Sequence, residues 1–547
     1  MKTKKFLLKY FTEIFIVLFG FIFASFLMFS SFSSTSRSIS ISSKAWSDFA
    51  SHIPLIRSFS FGSNFPTEYP LFPGEPINYH FLFYAFVGFL EKIGIPIGLA
   101  LNIPSVMGFV FLILMIYLLA LLIFKSKAVG VVSVIFFLFN SSLSFIYFFR
   151  NYPLSLNSLN QIITNPDFVS FAPYGDGIIS AFWNLNIYTN QRHLALSFAL
   201  SLFILFLILR TIFSKYKLNL KLATFLGIIF GLSFFLHFAV FLMTWAVIFS
   251  SAIFFPKIRK ESLLLLIIAA LVAFPQYLYV SQDQGFNALL SFGFLVSDKL
   301  SIYNFFEFWV YNLGLSLILI PLGFIFAGRN QKKILLSFFS LFLIGNLIQF
   351  SPEISANHKF FNYFLLIGNM FSAFALYKLW NKKLFFKPII AGAFFLMIFG
   401  GIIDFFPIYN DHRLTLNDYG ADKDIAWILE NTSADSVFLN STFLYNPASL
   451  AGRKIFLGWP YFAWSQGYDT DKRMEVMSNM LGASDKQTAC ALLKENEIDY
   501  IEIKKQDPPD PNIPPISTLF EEEFKKIYNN NSEDYFIYSV DSSCNNL

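Results

Sequence analysis

The chain has 547 residues, of which 55% are apolar and only 14% are charged. Because soluble domains average about 25% charged residues, this composition excludes a soluble enzyme of the ordinary type. The 75 phenylalanines are spread through long apolar runs, which excludes a disordered or fibrous chain. With a mean hydropathy of +0.57, the sequence predicts a polytopic α-helical membrane protein.

The charge is divided unevenly along the chain. Residues 409–547, called the tail below, hold 12 Lys and Arg against 22 Asp and Glu, a net charge of −10. Residues 1–408 hold 28 Lys and Arg against 13 Asp and Glu, a net charge of +15. No soluble part offers the basic face that phosphate contacts need, so nucleic acid is not expected as a partner.

Crossing the hydrocarbon core of a bilayer takes about 20 apolar residues in a helix. Eleven segments meet or approach that length and are predicted to be transmembrane helices: 9–30, 98–124, 128–149, 193–213, 222–238, 239–255, 262–280, 302–327, 334–350, 360–380 and 388–408. The sequence therefore predicts a transmembrane domain over residues 1–408 and a separate small α/β domain over residues 409–547.

The orientation follows from the basic loops, since Lys and Arg concentrate on the cytoplasmic side. Six segments hold 20 of the 28 basic residues, and with eleven spans all six fall on one side: 1–9, 124–127, 210–221, 256–260, 328–333 and 377–387. This predicts a multi-pass protein of the cell (plasma) membrane with a cytoplasmic N-terminus and an extracytoplasmic tail. The first span is interpreted as a retained helix, and a cleavable signal peptide is the alternative.

The topology places all six histidines on the outer side, and the first outer loop is the richest segment there. This loop, residues 31–97 and called the first loop below, is long enough to carry structure of its own. Apolar residues at helical spacing predict a helix over 45–60, lying in the membrane interface. Asp48 and His52 are four residues apart and would share one face of it. A second short helix, about 79–92, is predicted to be interfacial as well.

Cationic residues are predicted at the outer mouths of two later spans. Arg192, His193 and Lys359 could together hold an anionic headgroup such as phosphate or diphosphate. The alternative is that the Arg and Lys side chains only extend to lipid headgroups. No HxxxH or HxH spacing occurs, so a divalent metal is a possible cofactor that no motif supports. Phosphate-binding loops and serine-hydrolase motifs are absent from the sequence too.

The tail alternates between helical and strand patterns, which predicts a small α/β domain. Helices are predicted over 422–432, 470–483, 484–497 with Ser484 as N-cap, and 517–530; strands are predicted over 436–441, 454–458, 498–505 and 534–540. The aromatic run 458–470 is interpreted either as a carbohydrate platform or as a packed loop that docks the tail. Cys490 and Cys544 could pair in an oxidising compartment.

Four features of residues 45–130 resemble the GT-C superfamily of membrane glycosyltransferases, which use polyprenyl-phosphate-linked sugars. These are the early acid Asp48, the pair Tyr69-Pro70, the run YHFLFY from Tyr79 to Tyr84, and LNIPSVMG from Leu101 to Gly108. The second and third look like the YP loop and the HPPLY-type helix of the mannosyl- and aminoarabinose-transferring members. The segments 190–193, 236–237, 357–363 and 450–460 are similar to a bacterial and archaeal branch of the superfamily.

The resemblance implies roles for several residues. Asp48 corresponds to the first-loop acid that acts as catalytic base or supports the reacting centre, and Arg192, His193 and Lys359 correspond to cations that bind the lipid phosphate. The chain departs from the pattern at Ser47, where an adjacent acid would make a metal-binding pair. It also has Phe81-Leu82 where two prolines are usual, so the substrate cannot be carried over.

The leading hypothesis is therefore an integral-membrane glycosyltransferase (hexosyl or pentosyl transfer) that moves a sugar from a polyprenyl-phosphate donor to an extracytoplasmic acceptor. Asp48 and His52 are the predicted catalytic residues. The predicted donor-phosphate and substrate-binding residues are Glu68, Tyr69, His80, Arg192, His193, His237, His358 and Lys359. A flippase or transporter of lipid-linked glycan is one alternative, and a non-catalytic cell-envelope scaffold that binds glycan is another. Membrane lipid is an expected partner of all three.

Overall fold

The computed structural model describes residues 9–169, 180–280, 288–296, 300–382, 386–505 and 510–545, and the fold there is mostly helical. Up to residue 296 the helices are Phe11–Ser31, Trp46–Ser60, Leu82–Lys92, Ile97–Phe124, Lys127–Leu138, Ser144–Asn151, Ser158–Thr164, Ser180–Trp183, Asn186–Asn190, Arg192–Phe213, Leu220–Leu232, Phe238–Phe254 and Arg259–Val280. From residue 300 onward they are Ile302–Leu313, Ser316–Phe326, Arg329–Leu347, His358–Trp380, Lys387–Tyr409, Lys423–Asn431, Pro447–Leu450, Pro460–Ser465, Thr470–Leu481, Lys486–Glu495, Leu519–Glu523 and Val540–Cys544.

Six helices among the described residues are long and apolar enough to cross a membrane, which agrees with the prediction of a polytopic membrane protein. They are Phe11–Ser31, Ile97–Phe124, Arg192–Phe213, Pro256–Val280, Ile354–Trp380 and Lys387–Tyr409. A seventh candidate is the pair Ile302–Leu313 and Ser316–Phe326, which is bent by 85°. All eleven predicted segments contain a helix, but several of these helices are shorter than a span, so the count of eleven is not confirmed.

The bend in the pair has a local cause at Gly314. This residue has a φ of +52°, a conformation that residues with a side chain rarely adopt. Its backbone also lies so close to residue 141 that an added Cβ would be 1.9 Å from the Ser141 carbonyl oxygen. The chain therefore turns sharply here, where the apolar pattern alone predicts one continuous span over 302–327.

The chain folds as two compact units. The membrane unit comprises Met1–Ser31, Asn102–Gln276 and Asn287–His412. The loop–tail unit comprises Phe32–Leu101, Tyr277–Phe286 and Arg413–Leu547. The first loop thus belongs to the same compact unit as the tail, and the division of the chain at residues 408 and 409 stays a prediction.

In the membrane unit the helix His358–Trp380 is the most enclosed of the candidate spans. The apolar stretch of its span is 78% buried, whereas that of Pro256–Val280 is only 22% buried. A span that is apolar on all sides and surrounded by other helices forms the core of a bundle. The sequence-predicted site residues His358 and Lys359 lie at the start of this central helix.

A three-stranded antiparallel sheet joins the first loop to the tail within the loop–tail unit. Its strands follow the order Phe32–Ser34, Ser38–Ser42 and Arg413–Asn417. Ser38 pairs with Asn417 and Ser42 pairs with Arg413. The first strand of the tail therefore completes a hairpin that begins the first loop.

The rest of the tail is built on a five-stranded sheet. The strand order is Lys454–Ile455, Val437–Leu439, Tyr500–Lys504, Tyr535–Ser539 and Lys525–Asn530, with parallel and antiparallel neighbours. The predicted helices at 422–432, 470–483 and 484–497 are confirmed, with Asp485 rather than Ser484 as the N-cap of the last. Cys490 and Cys544 form a disulfide between two helices.

The predicted helix over 517–530 is wrong in its second half. A helix covers only Leu519–Glu523, and Lys525–Asn530 is the edge strand that pairs with Tyr535–Ser539. Helix propensity is a weak preference that tertiary pairing overrides. Here the pairing partner is a strand whose five residues are all buried.

Glu502 makes the stability of the central strand dependent on pH. The residue is buried, accepts a hydrogen bond from the Tyr535 hydroxyl at 2.6 Å, and contacts the Asn446 side-chain amide. Burial raises the pKa of this carboxyl to about 8. Because the folded state holds the proton more tightly than the unfolded state, stability falls as the pH rises from the ordinary glutamate pKa toward 8.

We expect the free energy of unfolding to fall by about 5 kcal/mol at most as the pH rises, with the fall complete above about pH 8. Glu502→Gln should flatten the dependence, as measured by denaturant unfolding of the full chain between pH 5 and pH 9. The exposed Glu522→Gln serves as the matched control and should retain the wild-type slope. An unchanged slope in Glu502→Gln would contradict the assignment.

Candidate functional site

The helix Trp46–Ser60, called the loop helix below, positions the two predicted catalytic residues. It confirms the helix predicted over 45–60 and carries Asp48 in its first turn. All its residues from Phe49 to Ser60 are buried, so protein packing rather than a lipid surface covers it. A carboxylate in the first turn is stabilised by the positive end of the helix dipole.

His52 follows one turn after Asp48 and is buried in an aromatic cluster. Its ring stacks on Tyr84 at 4.5 Å between centroids and lies 6.4 Å from the ring of Tyr79. The ring of Phe49 meets it edge-on at 5.8 Å. This packing fixes the orientation of the imidazole on the helix face that also carries Asp48.

The Asp48 side chain is half-buried, and its negative charge affects two tyrosines from other segments of the chain, Tyr79 and Tyr445. Burial raises the pKa of Tyr79 and of Tyr445, and the Asp48 carboxylate raises both further, because a phenolate would be repelled by it. Tyr445 also donates its hydroxyl to the Trp46 carbonyl oxygen and packs its ring 4.2 Å from that of Trp46. Since the single O–H of Tyr445 is donated to Trp46, Tyr445 holds the start of the loop helix in place, and both phenols stay neutral beside the carboxylate.

Two of the predicted substrate residues in this unit serve the packing of the first loop. Glu68 forms an ion pair with Lys454 and accepts the Gly74 amide at 2.7 Å. The ring of Tyr69 is buried parallel to that of Tyr468 at 5.3 Å, and its hydroxyl is 3.3 Å from the Gln466 amide nitrogen. Burial raises the pKa of Tyr69.

His80 is partly exposed, and its ring contacts that of the preceding Tyr79 at 3.7 Å between centroids. Both residues precede the short helix Leu82–Lys92, which confirms the helix predicted over 79–92 apart from its first turn. The loop–tail unit therefore contains all five predicted residues of the first loop, with Asp48, His52 and Tyr79 forming its candidate centre.

In the membrane unit Arg192 begins the helix Arg192–Phe213 and is buried. Its guanidinium donates to the Thr189 carbonyl oxygen at 2.7 Å and to the Ser31 hydroxyl at 2.9 Å. Further bonds reach the Met28 carbonyl and the Asn102 side chain, both at 3.2 Å. Arg192 thus stabilises the C-terminal end of the first span, a use that the sequence did not reveal.

Two histidines lie side by side in the same unit. The rings of His193 and His237 are buried 5.1 Å apart between centroids. His237 lies in extended conformation between the helices Leu220–Leu232 and Phe238–Phe254. The first helix therefore ends six residues before its predicted end at 238, and the second begins one residue before its predicted start at 239.

His358 and Lys359 open the central helix, and both side chains are buried. The His358 ring stacks on Phe182 at 4.6 Å, and its Nδ1 accepts the Asn362 side-chain amide at 3.0 Å. Asn362 also lines a cavity of about 40 Å³. The other amides in that lining are Asn140, Asn184, Asn312 and Asn369, a concentration of polar groups that no sequence motif marks.

The chain was compared with protein-family models, curated proteins and solved structures. No family model and no curated protein matches it. Among solved structures it is similar to the Archaeoglobus fulgidus oligosaccharyltransferase tethered with an acceptor peptide, at 13% identity and a TM-score of 0.48 over 91% of this chain and 70% of that one. The same enzyme in its apo form gives 12% identity, a TM-score of 0.46 and the same coverage.

A third similar structure is the archaeal oligosaccharyltransferase in complex with an inhibitory peptide and a dolichol-phosphate. It matches at 12% identity and a TM-score of 0.43, over 98% of this chain and 74% of that one. These neighbours are structures of a GT-C superfamily member.

The aromatic run 458–470 divides into a buried and an exposed part. Tyr468 stacks on Phe72 at 4.8 Å as well as on Tyr69, donates to the Pro76 carbonyl at 2.7 Å and accepts the Asn78 amide at 2.8 Å. Tyr461 and Trp464 are 47% and 41% exposed, with their rings 5.9 Å apart. One end of the run docks on the first loop, and the other end retains exposed aromatic surface.

We expect Tyr468→Ala to lower the free energy of unfolding by about 3–5 kcal/mol, because it removes a buried ring. Tyr468→Phe keeps the stacking and should cost only about 1–2 kcal/mol for its two hydrogen bonds. Trp464→Ala is the control for an exposed ring and should stay within about 0.5 kcal/mol of the wild type. Denaturant unfolding of the full chain measures all three, and equal losses in Tyr468→Ala and Trp464→Ala would contradict this division.

Proposed function

We propose that the protein is an integral-membrane glycosyltransferase that moves a sugar from a polyprenyl-phosphate donor to an acceptor on the extracytoplasmic face. One observation carries the proposal: a half-buried carboxylate, Asp48, starts the loop helix next to an oriented imidazole and two neutral phenols. This is the arrangement that general-base activation of a hydroxyl requires. The motifs of residues 45–130 that resemble the GT-C superfamily support the same chemistry.

In the proposed reaction the Asp48 carboxylate accepts the proton of an acceptor hydroxyl. The acceptor oxygen then attacks the anomeric carbon of the donor sugar, and the bond from that carbon to the phosphate oxygen breaks. Polyprenyl phosphate leaves with the bonding electron pair. His52, held by Tyr84 and Phe49, positions Asp48, and the neutral Tyr79 is assigned to the same reacting groups as a polar neighbour of Asp48.

The departing phosphate needs positive charge, since stabilising developing charge is often the largest catalytic contribution. We propose His193 and Lys359 for this task, with His237, His358 and His80 in the substrate-binding set. Arg192 holds in place the start of the helix that carries His193, because its guanidinium is bonded to carbonyl and hydroxyl oxygens of the membrane unit. Glu68 and Tyr69 hold the first loop in shape through their contacts with Lys454 and Tyr468.

The disulfide supports the proposed orientation. Disulfides persist in oxidising compartments and are rare in the cytosol. Cys490 and Cys544 pair within the tail, which therefore fits the extracytoplasmic side of a plasma membrane. The basic loops predict the same orientation independently of the cysteines.

A flippase or transporter of lipid-linked glycan is the second candidate, because the membrane unit contains an amide-lined cavity. Asn140 bonds Asp404 at 3.0 Å beside it, so polar groups reach into the apolar core. A volume of about 40 Å³ holds a few water molecules rather than a sugar. The exposed pair Tyr461 and Trp464 would suit the third candidate, a glycan-binding scaffold, and is equally compatible with an enzyme that recognises glycan.

We expect Asp48→Asn to reduce sugar transfer from labelled polyprenyl-phosphate donor in proteoliposomes by about 10²–10⁴-fold, because the amide cannot accept the proton. His52→Phe keeps the stacking on Tyr84 and should lower kcat while shifting its pH profile. Asp471→Asn is the matched control, since Asp471 is an exposed acid in the first turn of another helix of the same unit. Wild-type transfer by Asp48→Asn would remove Asp48 from the mechanism.

The orientation predicts which loops an impermeant thiol reagent reaches in intact cells. A cysteine at Asn431, in the tail, should be labelled, and one at Asn330, in the basic segment 328–333, should be labelled only after the membrane is opened. The paired Cys490 and Cys544 provide an internal control, because they should not react until they are reduced. Labelling of Asn330→Cys in intact cells would reverse the proposed topology.

A further inference from the structure

The helix Leu82–Lys92, called the surface helix below, has one face packed inside the loop–tail unit and one exposed face. On the packed face Glu91 is buried and pairs with Arg57 of the loop helix at 3.6 Å. Gly88 lies so close to the loop helix that an added Cβ would be 2.5 Å from the Ile56 carbonyl oxygen. The two helices are therefore in tight contact, and this contact covers only one side of the surface helix.

The other side of the surface helix is apolar along its whole length. Four large side chains there are between 43% and 60% exposed: Leu82, Phe86, Phe89 and Ile93. Because an α-helix turns by about 100° per residue, these four side chains lie within a sector of roughly 60°. They are called the apolar face below. A contiguous apolar surface of this kind marks contact with a membrane or with another protein.

Phe65 extends this apolar surface beyond the helix. Its ring is 79% exposed and lies 5.7 Å from the ring of Phe59. Phe59 in turn stacks on Phe81 at 6.1 Å, and Phe81 directly precedes the surface helix. Exposed aromatic surface therefore comes from two segments of the first loop.

The neighbouring chain segments favour a membrane over a protein partner. The surface helix ends at Lys92, and the candidate membrane span Ile97–Phe124 begins five residues later. Five residues bridge at most roughly 18 Å. Three residues after the candidate span Phe11–Ser31, the Ser34 hydroxyl accepts the Gly98 amide at 2.8 Å, so the two ends of the first loop are held together. The surface helix is thus tied close to the point where the chain enters a bilayer.

The length and the charge of the surface helix fit the interface of that bilayer. Its 11 residues are about 16 Å long, too short to cross a hydrocarbon core of about 30 Å. Of its two charged residues, Glu91 is buried, and Lys92 is exposed at the margin of the apolar face, from where an ammonium group reaches lipid headgroups. We propose that the apolar face lies in the plane of the membrane, roughly 5–10 Å deep in the boundary between headgroups and acyl chains.

This membrane contact holds the candidate centre at the bilayer surface. Tyr84, on the packed face of the surface helix, stacks on His52 at 4.5 Å, so the helix that contacts lipid also supports the loop helix. The loop helix itself is buried from Phe49 to Ser60 and has no need of lipid to cover it. The membrane contact goes beyond the proposed sugar transfer and does not rest on it.

Nitroxide labels on single cysteines measure the contact in the full chain, reconstituted in lipid nanodiscs. The native Cys490 and Cys544 are paired and take no label. We expect labels at Phe86→Cys and Phe89→Cys to show a severalfold higher ratio of collisions with oxygen, which concentrates in lipid, to collisions with a water-soluble nickel chelate than a label at Glu430→Cys. Glu430 is the matched control, an exposed residue on another helix of the same unit.

Both test positions are exposed, so the labels remove no buried contact. A ratio at Phe89→Cys equal to that at Glu430→Cys would overturn the proposal, because the apolar face would then be in water. Low collision rates with both reagents would overturn it as well, since they would identify a protein partner or a second copy of the chain.

A charge on the apolar face provides the second arm of the experiment. Phe86→Glu should lower the collision ratio of the label at position 89 severalfold, because a carboxylate among acyl chains is costly and draws the helix outward. Asn431→Glu places the same charge on an exposed residue of the tail and should leave the ratio unchanged. An unchanged ratio in Phe86→Glu would contradict the membrane contact. Asp48→Asn should lose sugar transfer and keep the wild-type ratio, so the two proposals fail separately.

Discussion

The loop–tail unit depends on the buried ion pair between Arg57 and Asp418, two residues that are 361 positions apart in the chain. A guanidinium in the core is tolerated only when its charge is compensated, and removing one partner of such a pair typically costs about 3–5 kcal/mol. The tail is fitted closely around this contact. Gly452, at a φ of +75°, lies where an added Cβ would be 2.4 Å from the Arg57 carbonyl oxygen. The first loop and the tail therefore need each other to fold.

This mutual dependence explains which parts of the fold the sequence predicted. Helices and strands with a strong local pattern, such as the loop helix and the strand Tyr500–Lys504, were predicted correctly from apolar spacing alone. Lys525–Asn530 was not, because its conformation depends on pairing with Tyr535–Ser539. The bend at Gly314 was missed for a similar reason, since the Ser141 carbonyl that crowds it belongs to a distant segment.

In the candidate centre, too, the sequence predicted only what depends on residues close together in the chain. The spacing of Asp48 and His52 is a local property of one helix, so their common face could be predicted. Tyr445 could not be, because its hydroxyl reaches the Trp46 carbonyl across 399 positions of the chain. Arg57 did give a signal: an arginine within the largely apolar run of residues 53–61 requires a compensating partner when that run is buried. The sequence has 22 acidic residues in the tail and nothing that singles out Asp418 among them.

The structure also separates the carboxylates of the first loop by their neighbours. Glu68 pairs with Lys454 through one oxygen and accepts the Gly74 amide with the other, so both of its oxygens are engaged within the first loop and the tail. Glu91 is buried, pairs with Arg57 through one oxygen and accepts the Ser60 hydroxyl with the other, so both of its oxygens are engaged at the far end of the loop helix. Asp48 instead acts on Tyr79 and Tyr445, whose raised pKa keeps both phenols protonated at neutral pH. A base beside a neutral phenol can remove a proton from a hydroxyl, and among these three carboxylates Asp48 is the one placed in that way, which is why the proposed chemistry is assigned to it.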